Sequence, residues 1–97
     1  MKLPVPLAFD WDQGNLEKNW KKHKVYLKEA EEIFFNKPLK TLEDVKHSQT
    51  EGRFVALGIT NANRKLYIIF AIRSLKIRII SARDQSKKER TIYEKTV

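Results

Sequence analysis

From Arg53 onward the chain becomes a series of β-branched and aromatic runs broken by short turn segments, and no other feature restricts its fold as strongly. The runs are Arg53–Thr60, Lys65–Arg73 and Ile77–Arg83. They are joined by Asn61-Ala62-Asn63-Arg64, where asparagine tolerates a left-handed backbone, and by a tight turn around Ser74-Leu75-Lys76. Consecutive antiparallel strands follow. A four-residue first turn opposes Thr60 to Lys65, and the second turn opposes Arg73 to Ile77. Val55, Leu57, Ile59, Leu66, Ile68, Phe70, Ile72 and Ile80 then share the core face. The opposite, more mixed face carries Phe54, Ala56, Gly58, Tyr67, Ile69, Ala71, Ile79 and Ser81, and is partly open to a ligand. In this register Glu51, Arg53, Arg73 and Arg78 gather at one end of the sheet, and Arg83 lies towards the other. A slip of one residue exchanges the faces.

Upstream the pattern is helical. Phe9–Trp11 reads as a short opening strand, and Asp12 and Asn15 offer capping oxygens ahead of Leu16, Trp20 and His23 at helical spacing. A first helix is predicted over Asn15–His23, with Lys21 and Lys22 at the negative end of its dipole. A second spans Leu27–Phe35, with Leu27, Ala30, Ile33 and Phe34 on one side, and Pro38 closes it. Leu39–His47 supplies an earlier edge strand. Ser86-Lys87-Lys88-Glu89 has the form of a capping box opening a terminal helix towards Tyr93. The order is β-α-α-β-β-β-β-α, an α+β fold in a single domain over residues 1–97.

Length and composition narrow the class. With 97 residues, one core serves the whole chain. The absence of cysteine excludes disulfide scaffolds, thiol catalysis and cysteine-ligated zinc, and fits the cytoplasm. Met1–Pro6 lacks the apolar run of a secretory signal, and Leu66–Ile72 is too short to span a bilayer, so a cytoplasmic protein without a membrane partner is expected. A net charge of +8 favours a polyanionic partner such as nucleic acid.

Two constellations suit chemistry. His23 has the residue type to accept or donate a proton near neutral pH, although a histidine serving the helix dipole and packing beside Trp20 explains it as well. His47 has a weaker claim. Neither histidine stands near a triplet of carboxylates at ligand spacing, so metal-independent chemistry without a cofactor is expected. Glu51, Arg53, Arg73, Arg78, Arg83 and Arg90 form the second group. Arginine forks donate paired hydrogen bonds to phosphate and suit a phosphoryl transition state, and glutamate suits the attacking proton. Cross-strand ion pairing is the equal alternative. A histidine or glutamate base with clustered arginines meets the needs of RNA cleavage by its own 2′-hydroxyl, giving a 2′,3′-cyclic phosphate. No phosphate-binding glycine loop or G-x-S-x-G elbow is present, which counts against kinases, NTPases and serine hydrolases.

Phe9-Asp10-Trp11-Asp12, Asn19, Lys22-His23, Glu29-Ala30 and Phe34 resemble the first half of the BrnT family pattern. Glu51, Arg53, Gly58, Arg73, the run Arg78–Arg83, Glu89-Arg90 and Tyr93 resemble the second half, so the likeness covers nearly the whole chain. The resemblance implies a RelE-like ribonuclease toxin of a type II toxin–antitoxin pair, which inhibits translation. It also implies a BrnA-type antitoxin partner in a hetero-oligomer, with DNA reached only through that antitoxin. On this reading His23, Glu51, Arg53, Arg73 and Arg83 are the catalytic candidates. Lys22, Arg78, Lys87 and Arg90 are assigned to RNA contact. Lys24 and Tyr26 depart from the family's glycine and serine at those positions. A non-catalytic basic module that binds RNA or a protein partner remains the alternative, as does a purely structural partner that receives an acidic antitoxin.

Overall fold

The three long runs do form the sheet. The computed structural model describes residues 3–43 and 52–95; Glu51, His47 and the far end of the predicted Leu39–His47 strand lie outside the described residues. Its elements are β1 (Phe9–Asp10), α1 (Gln13–His23), α2 (Leu27–Glu32), β2 (Lys40–Glu43), β3 (Arg53–Ile59), β4 (Lys65–Arg73), β5 (Lys76–Asp84) and α3 (Lys87–Glu94). The five strands lie in the order β1-β5-β4-β3-β2. β1 runs parallel to β5, and every other pairing is antiparallel. This is the predicted α+β architecture and element order.

The register differs from the sequence expectation, for a reason that lies in the turns. β3 and β4 pair Ile59 with Lys65 and Gly58 with Leu66. The loop is therefore three residues, Asn61-Ala62-Asn63, closed by Thr60 and Arg64, whose N–H and C=O meet at 2.9 Å. Asn63 takes φ 67°, the left-handed residue that a three-residue hairpin requires. One residue fewer in the loop turns β3 over. Phe54, Ala56 and Gly58, predicted for the opposite face, join Leu66, Ile68 and Phe70, while Val55, Leu57 and Ile59 move to the other side.

The β4–β5 loop is also one residue shorter than predicted, two residues, with Arg73 opposite Lys76 and positive φ at both Ser74 and Leu75. A bulge between the pairs Ile69–Ser81 and Phe70–Ile79 then shifts the register by one. The predicted pairing holds from Ser81 onward and fails before it. Ile80, predicted for the core face, is the extra residue, and Ile77, Ile79 and Ala82 are buried in the core instead.

Two apolar layers result. On one side Val25, Ala30 of α2, and Ile33 and Phe34, which follow α2 because the helix ends at Glu32 and not at the predicted Phe35, pack on Ala56, Leu66, Ile68, Phe70, Ile77, Ile79 and Ala82. On the other, Tyr93 of α3 packs with Val55 and Leu57, against Ile59 and Tyr67. The Tyr93 hydroxyl donates to the Pro38 carbonyl at 2.6 Å, tying the terminal helix across the sheet. The capping box that opens α3 is formed as predicted: Ser86 accepts from the Glu89 N–H, and Glu89 accepts from the Ser86 N–H.

Gly58 explains how closely α2 approaches. A Cβ at this position would stand 2.7 Å from the Ile33 Cβ, inside any tolerated contact. Gly58→Ala is therefore expected to force α2 off the sheet and to destabilise the fold by about 1–3 kcal/mol, the usual range for an overpacked core, measured by urea unfolding.

α1 covers the sheet edge that β1 leaves open. β1 pairs with Ile77 and Arg78, and among the described residues the outer edge of β5 has no strand partner beyond that point. There the buried Asn19 of α1 accepts a hydrogen bond from the Ala82 N–H at 3.2 Å through Oδ1. The helix starts at Asp12, whose carboxylate accepts from the N–H groups of Gly14 and Asn15. Its far end, with Lys21, Lys22 and His23 in the last turn, is thereby carried to the end of β5.

Candidate active site

His23 is the last residue of α1 and is half-buried. Burial pushes its imidazole below the ordinary value of 6.5; the positive charges of Lys22, Arg83 and Lys18 push the same way, and Asp84 opposes them. The imidazole is therefore neutral at pH 7. The influence of Arg83 and Asp84 reflects the α1–β5 packing, which brings the helix end beside the end of the strand.

Arg83 projects onto the α3 side of the sheet and stacks over Tyr67, its cross-strand partner, at 3.9 Å from the ring centroid. Both of its Nη atoms donate to the Glu89 carboxylate, at 2.8 and 2.9 Å, and Nη1 also donates to the Asp84 carbonyl. The fork is held flat and in one place. The hydrogen bonds to Glu89 raise the Arg83 pKa further, and those to Arg83 hold the Glu89 carboxyl below its usual range. A cleft of about 380 Å³ opens beside this pair, lined by Leu42, Val55, Leu57, Tyr67, Ser86 and Ile92 among others.

The remaining sheet arginines are at the opposite end of the sheet, as the sequence predicts, and share the face of Arg83, which the expected register did not give. Arg53, Ala71 and Arg78 are successive partners across three strands, and Arg78 is in turn the partner of Asp10. Arg73 follows two residues along β4. Arg78 donates to Asp12 at 3.3 Å. Five residues of β5 separate Arg78 from Arg83, about 16 Å at strand spacing. The predicted site residues thus fall into two groups on one surface: His23, Lys22 and Arg83 at one end, and Arg53, Arg73 and Arg78 at the other. Lys87 and Arg90 lie on α3, where Arg90 donates to the Gln85 carbonyl at 3.0 Å.

Sequence reasoning missed Arg64, which it treated only as a turn residue. Its Nε and Nη2 donate to the two Asp84 oxygens at 2.6 and 3.1 Å. Nη1 reaches both Glu29 oxygens and the Lys24 carbonyl, and Nη2 also reaches the His23 carbonyl. One guanidinium thus links the β3–β4 hairpin, the end of β5, the start of α2 and the backbone of His23. It fixes where the histidine stands.

Lys24 and Tyr26 follow this histidine in the chain. Lys24 caps α1 with φ 53° and ψ 41°, the left-handed conformation, which costs a non-glycine residue about 1 kcal/mol. Tyr26 opens α2 without a side-chain cap, forgoing about 1 kcal/mol more, although Glu29 accepts from its N–H at 3.1 Å. Both side chains have gone to Trp20 instead. The Tyr26 ring stacks on Trp20 with centroids 4.1 Å apart and 22° between planes, and the Lys24 Nζ stands 5.0 Å from the Trp20 centroid. An aromatic pair and an exposed cation–π contact contribute roughly 0.5–1.5 and 0.5–1 kcal/mol, comparable to the two losses.

The molecule is thus a mostly antiparallel sheet with helices on both sides and arginines at both ends of one face. The model of the family described as "Ribonuclease toxin, BrnT, of type II toxin-antitoxin system" matches residues 11–89, and the chain belongs to that BrnT family. The 1.1 Å crystal structure of the Brucella abortus ribonuclease toxin BrnT superposes with a TM-score of 0.62, covering 84% of this chain and 99% of that one. At 21% identity that likeness speaks for the fold. A comparison with curated proteins finds no match. As a type II toxin, the chain has an antitoxin partner. Among the described residues no helix is long and apolar enough to cross a membrane.

Proposed function

We propose that the chain is an endoribonuclease that cleaves RNA without a metal ion, on the sheet face beside His23. It thereby inhibits translation in the cytoplasm until a BrnA-type antitoxin covers that face. The observation that carries this reading is that Arg64 ties the His23 backbone to Asp84 at the end of β5, which brings the half-buried imidazole within electrostatic reach of the Arg83 guanidinium that Glu89 holds. His23 takes the proton of a ribose 2′-hydroxyl. The oxygen forms a bond to phosphorus, the P–O5′ bond breaks, and the departing oxygen takes up a proton from solvent. The products are a 2′,3′-cyclic phosphate and a 5′-hydroxyl. Arg83 supplies positive charge near the phosphoryl oxygens, where charge grows in the transition state. Arg53, Arg73 and Arg78, at the far end of the face, align the RNA backbone, and Lys22, Lys87 and Arg90 flank its path. Glu51, outside the described residues, is the second proton-transfer candidate.

The engagement of Arg83 by Glu89 and of Arg78 by Asp12 favours a second reading, in which the arginines are structural ion pairs and the chain binds RNA or protein without cutting. Incubating the purified, antitoxin-free chain with total RNA in excess EDTA separates the two. Cleavage leaving 2′,3′-cyclic phosphate ends is expected. RNA that is bound and remains intact, with EDTA or with added divalent metal, establishes the second reading.

A further inference from the structure

The stack at Trp20 invites a functional reading because it is exposed and because of what surrounds it. Trp20 is 38% and Tyr26 58% exposed, large apolar areas to leave in water on a domain of this size. One face of the Tyr26 ring lies on Trp20; its exposure leaves the other face to solvent. The residues from Glu17 to Glu29 include Lys18, Lys21, Lys22, Lys24 and Lys28, all exposed, against Glu17 and Glu29, the latter paired with Arg64 and accepting from the Tyr26 N–H. Trp20 precedes His23 by one turn of α1, and Tyr26 follows it by three residues. The two residues that depart from the family pattern, Lys24 and Tyr26, are the ones that engage Trp20.

We propose that Tyr26, backed by Trp20 and set among lysines, is a stacking platform for an unpaired base of the RNA substrate next to His23. The identity of the ligand rests on the ribonuclease reading above; the platform itself concerns binding alone. An aromatic ring pre-stacked on a second ring loses little freedom when a base joins it. The lysines provide the phosphate attraction that a single strand requires, which an apolar protein partner does not. Stacking on one ring face accepts any base, so the platform holds an unpaired nucleotide without selecting its sequence, and a duplex cannot use it.

The test is a binding titration, by fluorescence anisotropy, with an end-labelled 2′-O-methyl single strand about a dozen nucleotides long, within the range of one single-strand site. This probe lacks the attacking hydroxyl, so the result is independent of cleavage. Tyr26→Ser, which restores the family residue at an exposed position, is expected to weaken binding about thirtyfold, the middle of the range for loss of one base stack. Tyr26→Phe keeps the ring and is expected to bind as the parent does. Trp20→Ala, which removes the backing, is expected to weaken binding too, with thermal melts showing that each variant is folded. A duplex of the same sequence should not distinguish parent from variants. Equal affinity of the parent and Tyr26→Ser for the single strand overturns the proposal. So does a loss confined to antitoxin affinity, which makes the surface a protein interface. A parent that binds the probe through Tyr26 and leaves 2′-hydroxyl RNA uncut contradicts the cleavage reading and leaves the platform standing.

Discussion

His23→Ala is expected to reduce RNA cleavage by roughly a hundred- to ten-thousand-fold, the contribution of one general acid–base group, while RNA binding stays close to that of the parent. The asymmetry follows from the position of the side chain. It closes α1 at the rim of the basic face and carries no charge at pH 7, so its removal subtracts little from the electrostatic attraction that dominates affinity. Stability should change little, because the Asn19–Ala82 hydrogen bond holds α1 and Arg64 grips the backbone carbonyl of residue 23 irrespective of its side chain. Expressed without antitoxin, the variant should be non-toxic. A fully active His23→Ala together with an inactive Glu51→Gln would transfer the base role to the glutamate.

Arg64→Ala is the second large effect, and it falls on stability. The substitution takes the donor from the carbonyls of His23 and Lys24 and from Asp84, and leaves the half-buried Glu29 carboxylate with the Tyr26 N–H but without its guanidinium. Asp84 is 62% exposed and regains water, so most of the loss comes from Glu29 and the two carbonyls. A cost of about 2–4 kcal/mol is expected, between that of an unsatisfied polar group and that of a broken buried pair. For a domain of this size it lowers the melting point by roughly 10 °C or more. Arg64→Lys should recover only a small part, since one ammonium cannot reach four acceptor groups arranged around a planar fork. A melting point within about 2 °C of the parent would mean that solvent screens the whole network. The Arg64 bonds hold the Asp84 carboxyl below its ordinary value of 3.8, so this part of the stability is present above that pH and lost as pH falls through the lowered pKa.

The sequence carried the element order because its signals are local. β-branched runs, the Asp12 cap and the Ser86–Glu89 box each act within a few residues, and each was found where it was read. The faces were not legible because they depend on loop length to the single residue. Whether Asn61–Arg64 supplies three or four loop residues turns on the left-handed conformation of Asn63, and no residue pattern marks Ile80 as a bulge. Gly58 and Ala56 offered a faint signal, since small residues on a strand suit a face that a helix must approach closely. The hub at Arg64 was invisible for another reason: its acceptors lie between 20 and 41 residues away. The nearness of His23 to Arg83 was not legible either, because it depends on how α1 packs on β5.

The central claim is that a neutral imidazole at residue 23 removes the 2′-hydroxyl proton. It is tested most directly by single-turnover cleavage of one defined RNA, in EDTA, by the parent and by His23→Ala across the pH range from acid to neutral. Burial and the charges of Lys22 and Arg83 hold the imidazole below 6.5, so the parent rate should fall towards acid pH with a midpoint below 6.5, as the base becomes protonated. His23→Ala should retain a small rate from which that acidic limb has gone. The same acidic limb in both proteins, or equal rates at neutral pH, would contradict the assignment.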